Sequence, residues 1–241
     1  MSNSLTGKVA LVTGGSRGLG AAIAKRLARD GAAVALTYTS SPQKADEVVR
    51  AIESAGGRAL TIRADSADVK AVQNAVAETV KAFGRLDILV NNAGVVSIAP
   101  IEEFKMEDFD RLIAVNVKGI FVAIQEALRH MGEGGRIINI GSINSDLVPF
   151  AGGSVYALTK GAVAGFTRGL ARDLGPRGIT VNNVQPGPTD TDMNPADGSF
   201  AAQLKNMIAV QRYGSRRRDR WYGFLPRQSR SGLRHRREPE D

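Results

Sequence analysis

Tyr156 and Lys160 stand four positions apart in the run "YALTK", a spacing that puts two side chains on one face of a helix. A free phenol ionises near pH 10, so a tyrosine that gives and takes protons near neutrality needs its anion stabilised by roughly 3 pKa units, or about 4 kcal/mol. An ammonium one helical turn away supplies part of that. A second chemical feature lies near the start of the chain, in "TGGSRGLG" from Thr13 to Gly20. Its glycines at 14, 18 and 20 allow a tight turn and close main-chain approach. Where such a loop opens a helix, the N–H groups and the helix dipole face an incoming pyrophosphate. An ordinary glycine turn has the same composition, so the loop gains meaning only between a strand and a helix.

The surrounding elements supply that setting. "KVALVTG" reads as a buried strand and "LGAAIAKRLARDG" as a helix stopped by Gly31. Next come the strand "AAVALTY", the helix "SPQKADEVVRAIESAGG" opened by Ser41-Pro42 and closed by Gly56-Gly57, the strand "RALTIRAD" and the helix "DVKAVQNAVAETVKAFG". The rhythm continues with "DILVNNAG", a helix over about 107–131, the strand "GRIINIGS", a helix over about 154–174 and the strand "ITVNNVQPG". Apolar strands alternating with helices predict an α/β fold, a doubly wound parallel sheet covered on both faces. No repeat or Pro/Ser-rich linker divides residues 1–214, which read as one domain.

Six motifs occur in a fixed order over residues 7–192: the loop spacing G-x-x-x-G-x-G, "NNAG" at Asn91–Gly94, Asn116 in "AVNVKG", Ser142 ending the fifth strand, "YALTK", and "PGPTDT" at 186–191. Each alone has a plain explanation as a turn cap, a strand-end hydroxyl or a surface pair. Together they resemble the short-chain dehydrogenase/reductase family, and the resemblance implies a Rossmann fold. It implies that Tyr156 gives a proton to a carbonyl oxygen as hydride arrives from a nicotinamide cofactor. Ser142 would hydrogen-bond that oxygen, Lys160 would also hold the nicotinamide ribose, and Asn116 would position a water in the proton relay. Cofactor contacts are implied for Gly14, Ser16, Arg17, Gly18, Leu19 and Gly20, for Tyr38 and Ser40, for Asp65 and Ser66, and for Asn92, Ala93 and Gly94. Pro186, Gly187, Thr189 and Thr191 complete that set, with Tyr156 and Lys160. Asp65 reads equally well as the N-cap of the next helix. Ser142 precedes Tyr156 by 14 positions, one more than the commoner family spacing, which points to an extra residue in "INSDLVPFAGGSV"; Ser145 is the alternative hydroxyl.

A carboxylate at the end of the second strand would bond the ribose of NAD(H) and repel a 2′-phosphate. The chain has "TYTSS" there, Thr37 to Ser41, and Arg17 offers a cation suited to a phosphate dianion. NADP(H) is therefore the favoured cofactor and NAD(H) the alternative; the plain reading of Arg17 is a solvated loop arginine. A close resemblance is to reductases of the 3-oxoacyl-(acyl carrier protein) type, from fatty acid biosynthesis, although many near relatives reduce other ketones, sugars or steroids. That implies a small-molecule carbonyl or acyl-thioester substrate and a homotetramer. A loop over about 188–212, with a polar entry and the apolar "MIAV", would bind the substrate.

The chain has no cysteine and two distant histidines, His130 and His235, which argues against disulfides and against thiolate or histidine metal sites. No leader-like or membrane-spanning run is present, and a cytoplasmic protein is expected. The net charge of +8 is uneven: residues 215–241 carry nine arginines, no lysine and four acids, a net of +5, against +3 for residues 1–214. A basic tail with Trp221, Tyr222 and Phe224 could stack on bases and pair with phosphates, making nucleic-acid association an alternative. A non-catalytic NADP-binding protein is another. The resemblance also implies a closing helix and strand that the chain lacks. Yet permitted codons for Arg218 to Asp241, read one base later, encode "EIAGMVSFLASPEAGFVTGANLK", which has the character of that ending. The tail therefore reads as frame-shifted, aberrant sequence, expected to be disordered and to cost stability, assembly and activity.

Overall fold

The protein is described here by a computed structural model covering residues 4–198 and 201–215. Six strands form one parallel sheet: β1 (Val9–Val12), β2 (Ala33–Tyr38), β3 (Arg58–Arg63), β4 (Ile88–Asn91), β5 (Arg136–Ile140) and β6 (Thr180–Val184). Their order is β3-β2-β1-β4-β5-β6. The chain runs outward from β1 to β3, returns to β4 beside β1, and runs outward the other way. Such a reversal leaves a crevice at the carboxyl ends of β1 and β4, where open α/β sheets take their ligands.

The apolar strands follow from burial on both faces. Ala10 and Val12 of β1 join Val34, Leu36, Val90 and Ile140 on one face, against Ala24 and Leu27 of α1 (Gly18–Arg29) and Val48 and Ile52 of α2 (Pro42–Glu53). Leu11, between them in sequence, turns to the opposite face with Leu89, Ile137 and Val181. That face is covered by α3 (Val69–Phe83), by α5 (Gly119–Ala127) and by α6 (Ser154–Leu174).

Local chemistry sets the boundaries. Proline occupies the start of α2, and the Ser41 side chain makes no capping bond, so the fixed φ of Pro42 opens that helix. Asp68 caps α3, its Oδ1 accepting from Lys70 N at 2.8 Å and Ala71 N at 3.1 Å. This corrects the N-cap reading of Asp65, whose carboxylate instead accepts from Ala67 N at 2.9 Å and lies 3.6 Å from Arg111. The helix expected over 107–131 is α4 (Met106–Ile113) and α5 joined by a π turn, Ala114–Lys118. One extra residue in a turn lets a buried side chain there aim away from the helical stripe.

The described residues between 188 and 215 form a small flap. Strand β7 (Thr189–Asp190) pairs in parallel with β8 (Gly214–Ser215), and α7 (Ala201–Met207) lies between them in the chain. Ser215, read from sequence as the first tail residue, thus pairs with Asp190; the arginine-rich stretch from 216 lies outside the described residues. Among those described, β6 closes one edge of the sheet, and no helix is long and apolar enough to cross a membrane.

Candidate active site

The crevice is built from main-chain groups held by short side chains. Thr13 Oγ1, just past β1, accepts from Asn92 N and Ala93 N, both at 3.0 Å. Asn92 Nδ2 answers by donating to Thr13 O at 2.9 Å and Gly14 O at 3.0 Å. Thr37, near the end of β2, takes the loop's other flank: its Oγ1 accepts from Gly14 N and its main-chain oxygen from Gly15 N, each at 2.9 Å. The loop then enters α1 at Gly18, φ 57°, with Gly20 in its first turn. A Cβ on Gly20 would collide with Gly14 O and Asn92 Nδ2, so only glycine lets the helix N-terminus sit against the "NNAG" turn.

Around this cradle lie the residues expected to meet a cofactor. Arg17 is exposed in extended backbone as the N-cap of α1, with Ser16 and Leu19 half-buried beside it. Tyr38 is half-buried at the end of β2, and Ser40 is exposed beyond it. Asp65 and Ser66 are half-buried after β3. On the far side, Pro186 O accepts from Ile143 N at 3.1 Å, Thr189 is buried and donates to Gly187 O at 3.0 Å, and the Thr191 methyl lies 3.6 Å from where a Cβ on Gly18 would stand.

The four residues expected to do chemistry converge. Lys160 Nζ lies 5.7 Å from the centre of the Tyr156 ring, as their shared helix face requires. Tyr156 hydrogen-bonds to the buried Ser142. Asn116, in the π turn and fully buried, donates to Thr159 Oγ1 at 3.2 Å, and that hydroxyl donates to Tyr156 O at 2.8 Å. A Cβ on Gly94 would stand 3.5 Å from Asn116 Oδ1 and 3.7 Å from Lys160 Nζ. Ser145, the alternative hydroxyl, instead faces Ser142 O, Asp146 and Gln185.

Burial dominates the electrostatics. It pushes the Lys160 ammonium down to about 8, although Nζ donates to Ile140 O at 2.9 Å. It pushes the Tyr156 phenol up, with the Ser142 hydrogen bond pulling the other way. The protein alone therefore keeps the tyrosine protonated, in the state that donates. Ionising it near neutrality requires further positive charge in the crevice.

Sequence reading had not singled out Thr13, Thr37, Thr159, Gln185 or the Lys44–Asp192 ion pair at 3.0 Å that ties α2 to the flap. The two strand-end threonines carried a readable signal: a glycine loop exposes N–H groups that need acceptors, and hydroxyls at neighbouring strand ends are within reach.

Comparisons with known proteins find relatives along most of the chain. The short chain dehydrogenase family matches residues 8–201. A crystal structure of a short chain dehydrogenase from Burkholderia cenocepacia in complex with NADP is 57% identical, with a TM-score of 0.87 over 88% of this chain and 86% of that one. The cyclic-di-GMP-binding biofilm dispersal mediator protein of Escherichia coli is 47% identical over 88% of this chain and 85% of its own length. A hydroxynaphthalene reductase of Aspergillus fumigatus is 45% identical over 78% and 69%.

Proposed function

The chain belongs to the short chain dehydrogenase family, and on that premise we propose that it is an NADP(H)-dependent carbonyl reductase. The observation that carries the reading is the Tyr156 hydroxyl, bonded to Ser142 and held one helical turn from a buried Lys160 beside the glycine cradle. The crevice fits a dinucleotide, because Gly20 lets the N-terminus of α1 sit against Gly14 and Asn92, and Gly94 leaves room for a close approach beside Asn116 and Lys160. Gly14 to Gly20 would hold the pyrophosphate, Arg17 and Ser40 a 2′-phosphate, Asp65 and Ser66 the adenine end, and Lys160 with Asn92 to Gly94 and Pro186 to Thr191 the nicotinamide end. The cofactor, when bound, supplies the hydride and, once oxidised, a positive charge near the phenol.

The protein's own part is proton handling. Tyr156 gives its proton to the carbonyl oxygen, Ser142 orients that oxygen, and the Lys160 ammonium lowers the cost of the phenolate left behind. Asn116, through the π turn, sets the relay that returns a proton to Tyr156. NADPH as the preferred cofactor is supported by the absence of a carboxylate in Thr37–Ser41, by the exposed Arg17 and by the NADP held in the Burkholderia relative. Arg17→Ala would reduce the preference for NADPH over NADH. The substrate class is a small ketone or a 3-oxoacyl thioester. NADPH oxidation measured with acetoacetyl thioesters, cyclic ketones and sugars tests the reading. Cofactor binding with no turnover on any of them would leave a non-catalytic binding protein.

A homotetramer is the assembly we propose. Its support is an apolar surface on α5 and α6, with Phe121 and Leu158 exposed by about half and packing space open over Gly161 and Gly169. Light scattering on the purified protein tests it. We also read the arginine-rich end as the reductase's ending out of frame.

A further inference from the structure

We propose that Asn144 is a positioning residue whose side-chain amide sets the direction of the Ser142 hydroxyl proton, and with it whether Ser142 serves the substrate; this rests on the carbonyl reductase reading. The Ser142 proton is engaged. Its oxygen accepts from Asn144 N at 3.1 Å, and its proton is donated to Asn144 Oδ1 at 3.0 Å. A serine oxygen has two lone pairs and one proton, so no donor is left for a carbonyl oxygen. On the same amide, Asn144 Nδ2 is buried without a hydrogen-bond partner.

The two facts resolve each other if the amide has two working positions. With a carbonyl bound, Ser142 must turn its proton toward the substrate, and the second lone pair on Ser142 Oγ is open to a donor. Rotating the amide half a turn brings Nδ2 to that lone pair, satisfies the orphaned donor and releases the Ser142 proton toward the substrate oxygen. Asn144 lies in the short turn Ile143–Ser145 that follows β5. Main-chain Ile143 N, bonded to Pro186 O at 3.1 Å, and Gln185, bonded to Ser145 and to Asp146 at 2.8 Å, hold that turn. The side-chain amide can therefore turn while the backbone stays fixed.

Aspartate at this position is isosteric but can only accept, so it holds the Ser142 proton permanently away from the substrate. Alanine keeps the main-chain bond from residue 144 and removes the competing acceptor. The test is steady-state kinetics of Asn144→Asp and Asn144→Ala, alone and combined with Ser142→Ala. The expected result is a kcat for Asn144→Asp at least tenfold below that of Asn144→Ala, with KM for NADPH equal in the two, and with that tenfold gap lost in the Ser142→Ala background. A kcat for Asn144→Asp equal to or above that of Asn144→Ala, or a gap that persists without Ser142, overturns the proposal. Loss of turnover in Tyr156→Phe must accompany it; if Tyr156→Phe stays active, the reductase reading itself falls, independently of Asn144.

Discussion

Asn116 grips the peptide of Val95 from both sides: its Oδ1 accepts from Val95 N and its Nδ2 donates to Val95 O, both at 2.9 Å. The side chain of the residue assigned to the proton relay is thus spent on the turn that follows Gly94. Any water it positions must be held by the main chain of the π turn.

Asn116→Ala would leave both groups of a part-buried peptide without partners. At about 1–3 kcal/mol for each of the two orphaned groups, the expected loss is about 2–6 kcal/mol, measurable by chemical denaturation. Cofactor affinity should fall with it, because Gly94 loses its anchor. A variant as stable as the parent would show that the clamp carries no load.

Burial of Lys160 predicts a pH signature. Its folded value of about 8 lies below the ordinary 10.5, so between those values the unfolded chain binds more protons than the folded one. Stability of the cofactor-free protein should therefore rise with pH from about 8 to about 10.5, by about 3 kcal/mol in total if no other group titrates. Carbonyl reduction should run the opposite way, declining as pH rises through about 8, because the ammonium that supports the Tyr156 phenolate is lost. Denaturation midpoints and kcat/KM across pH 7–10 check both slopes; parallel slopes would sink the assignment.

Much of this was legible in the sequence because it rests on period and composition. The strands of "KVALVTG" and "DILVNNAG" read correctly because burial on both faces makes them apolar throughout, and the Tyr156–Lys160 pair because one helical turn fixes its geometry. Asp65 read equally as a cofactor contact and as a cap because cap and turn aspartates look alike; the capping bonds belong to Asp68, three residues on. The π turn at Asn116 is hard to read locally, because α4 and α5 on either side are too short for a shift of about 100° in the apolar stripe to stand out. Asn144 was hidden because a loop side chain's hydrogen bond to Ser142 leaves no mark in spacing or composition.

Gly20→Ala tests the cradle. The added methyl would collide with Gly14 O and Asn92 Nδ2, and neither can yield without breaking the bonds that hold the glycine loop to the "NNAG" turn. The expected cost is about 1–3 kcal/mol of stability. NADPH affinity should also fall at least tenfold, read by calorimetric titration. Undiminished binding would place the pyrophosphate elsewhere.

The last prediction concerns the arginine-rich end. Nine arginines without a lysine in residues 215–241 suit GC-rich codons read out of frame better than a selected basic arm, which draws on lysine as readily. The alternative frame contains the alternating "GFVTGANL", a pattern able to pair as a strand, while β6 stands at the sheet edge among the described residues. An unpaired edge invites association with other chains. Replacing residues 218–241 with the alternative reading should therefore raise the melting temperature by at least about 5 °C, reduce aggregation and increase NADPH-dependent turnover. Equal melting temperature and turnover in the two forms would refute the frame-shift reading. Salt-sensitive DNA binding that vanishes when the chain is cut after Gly214 would assign the arginines to nucleic acid instead.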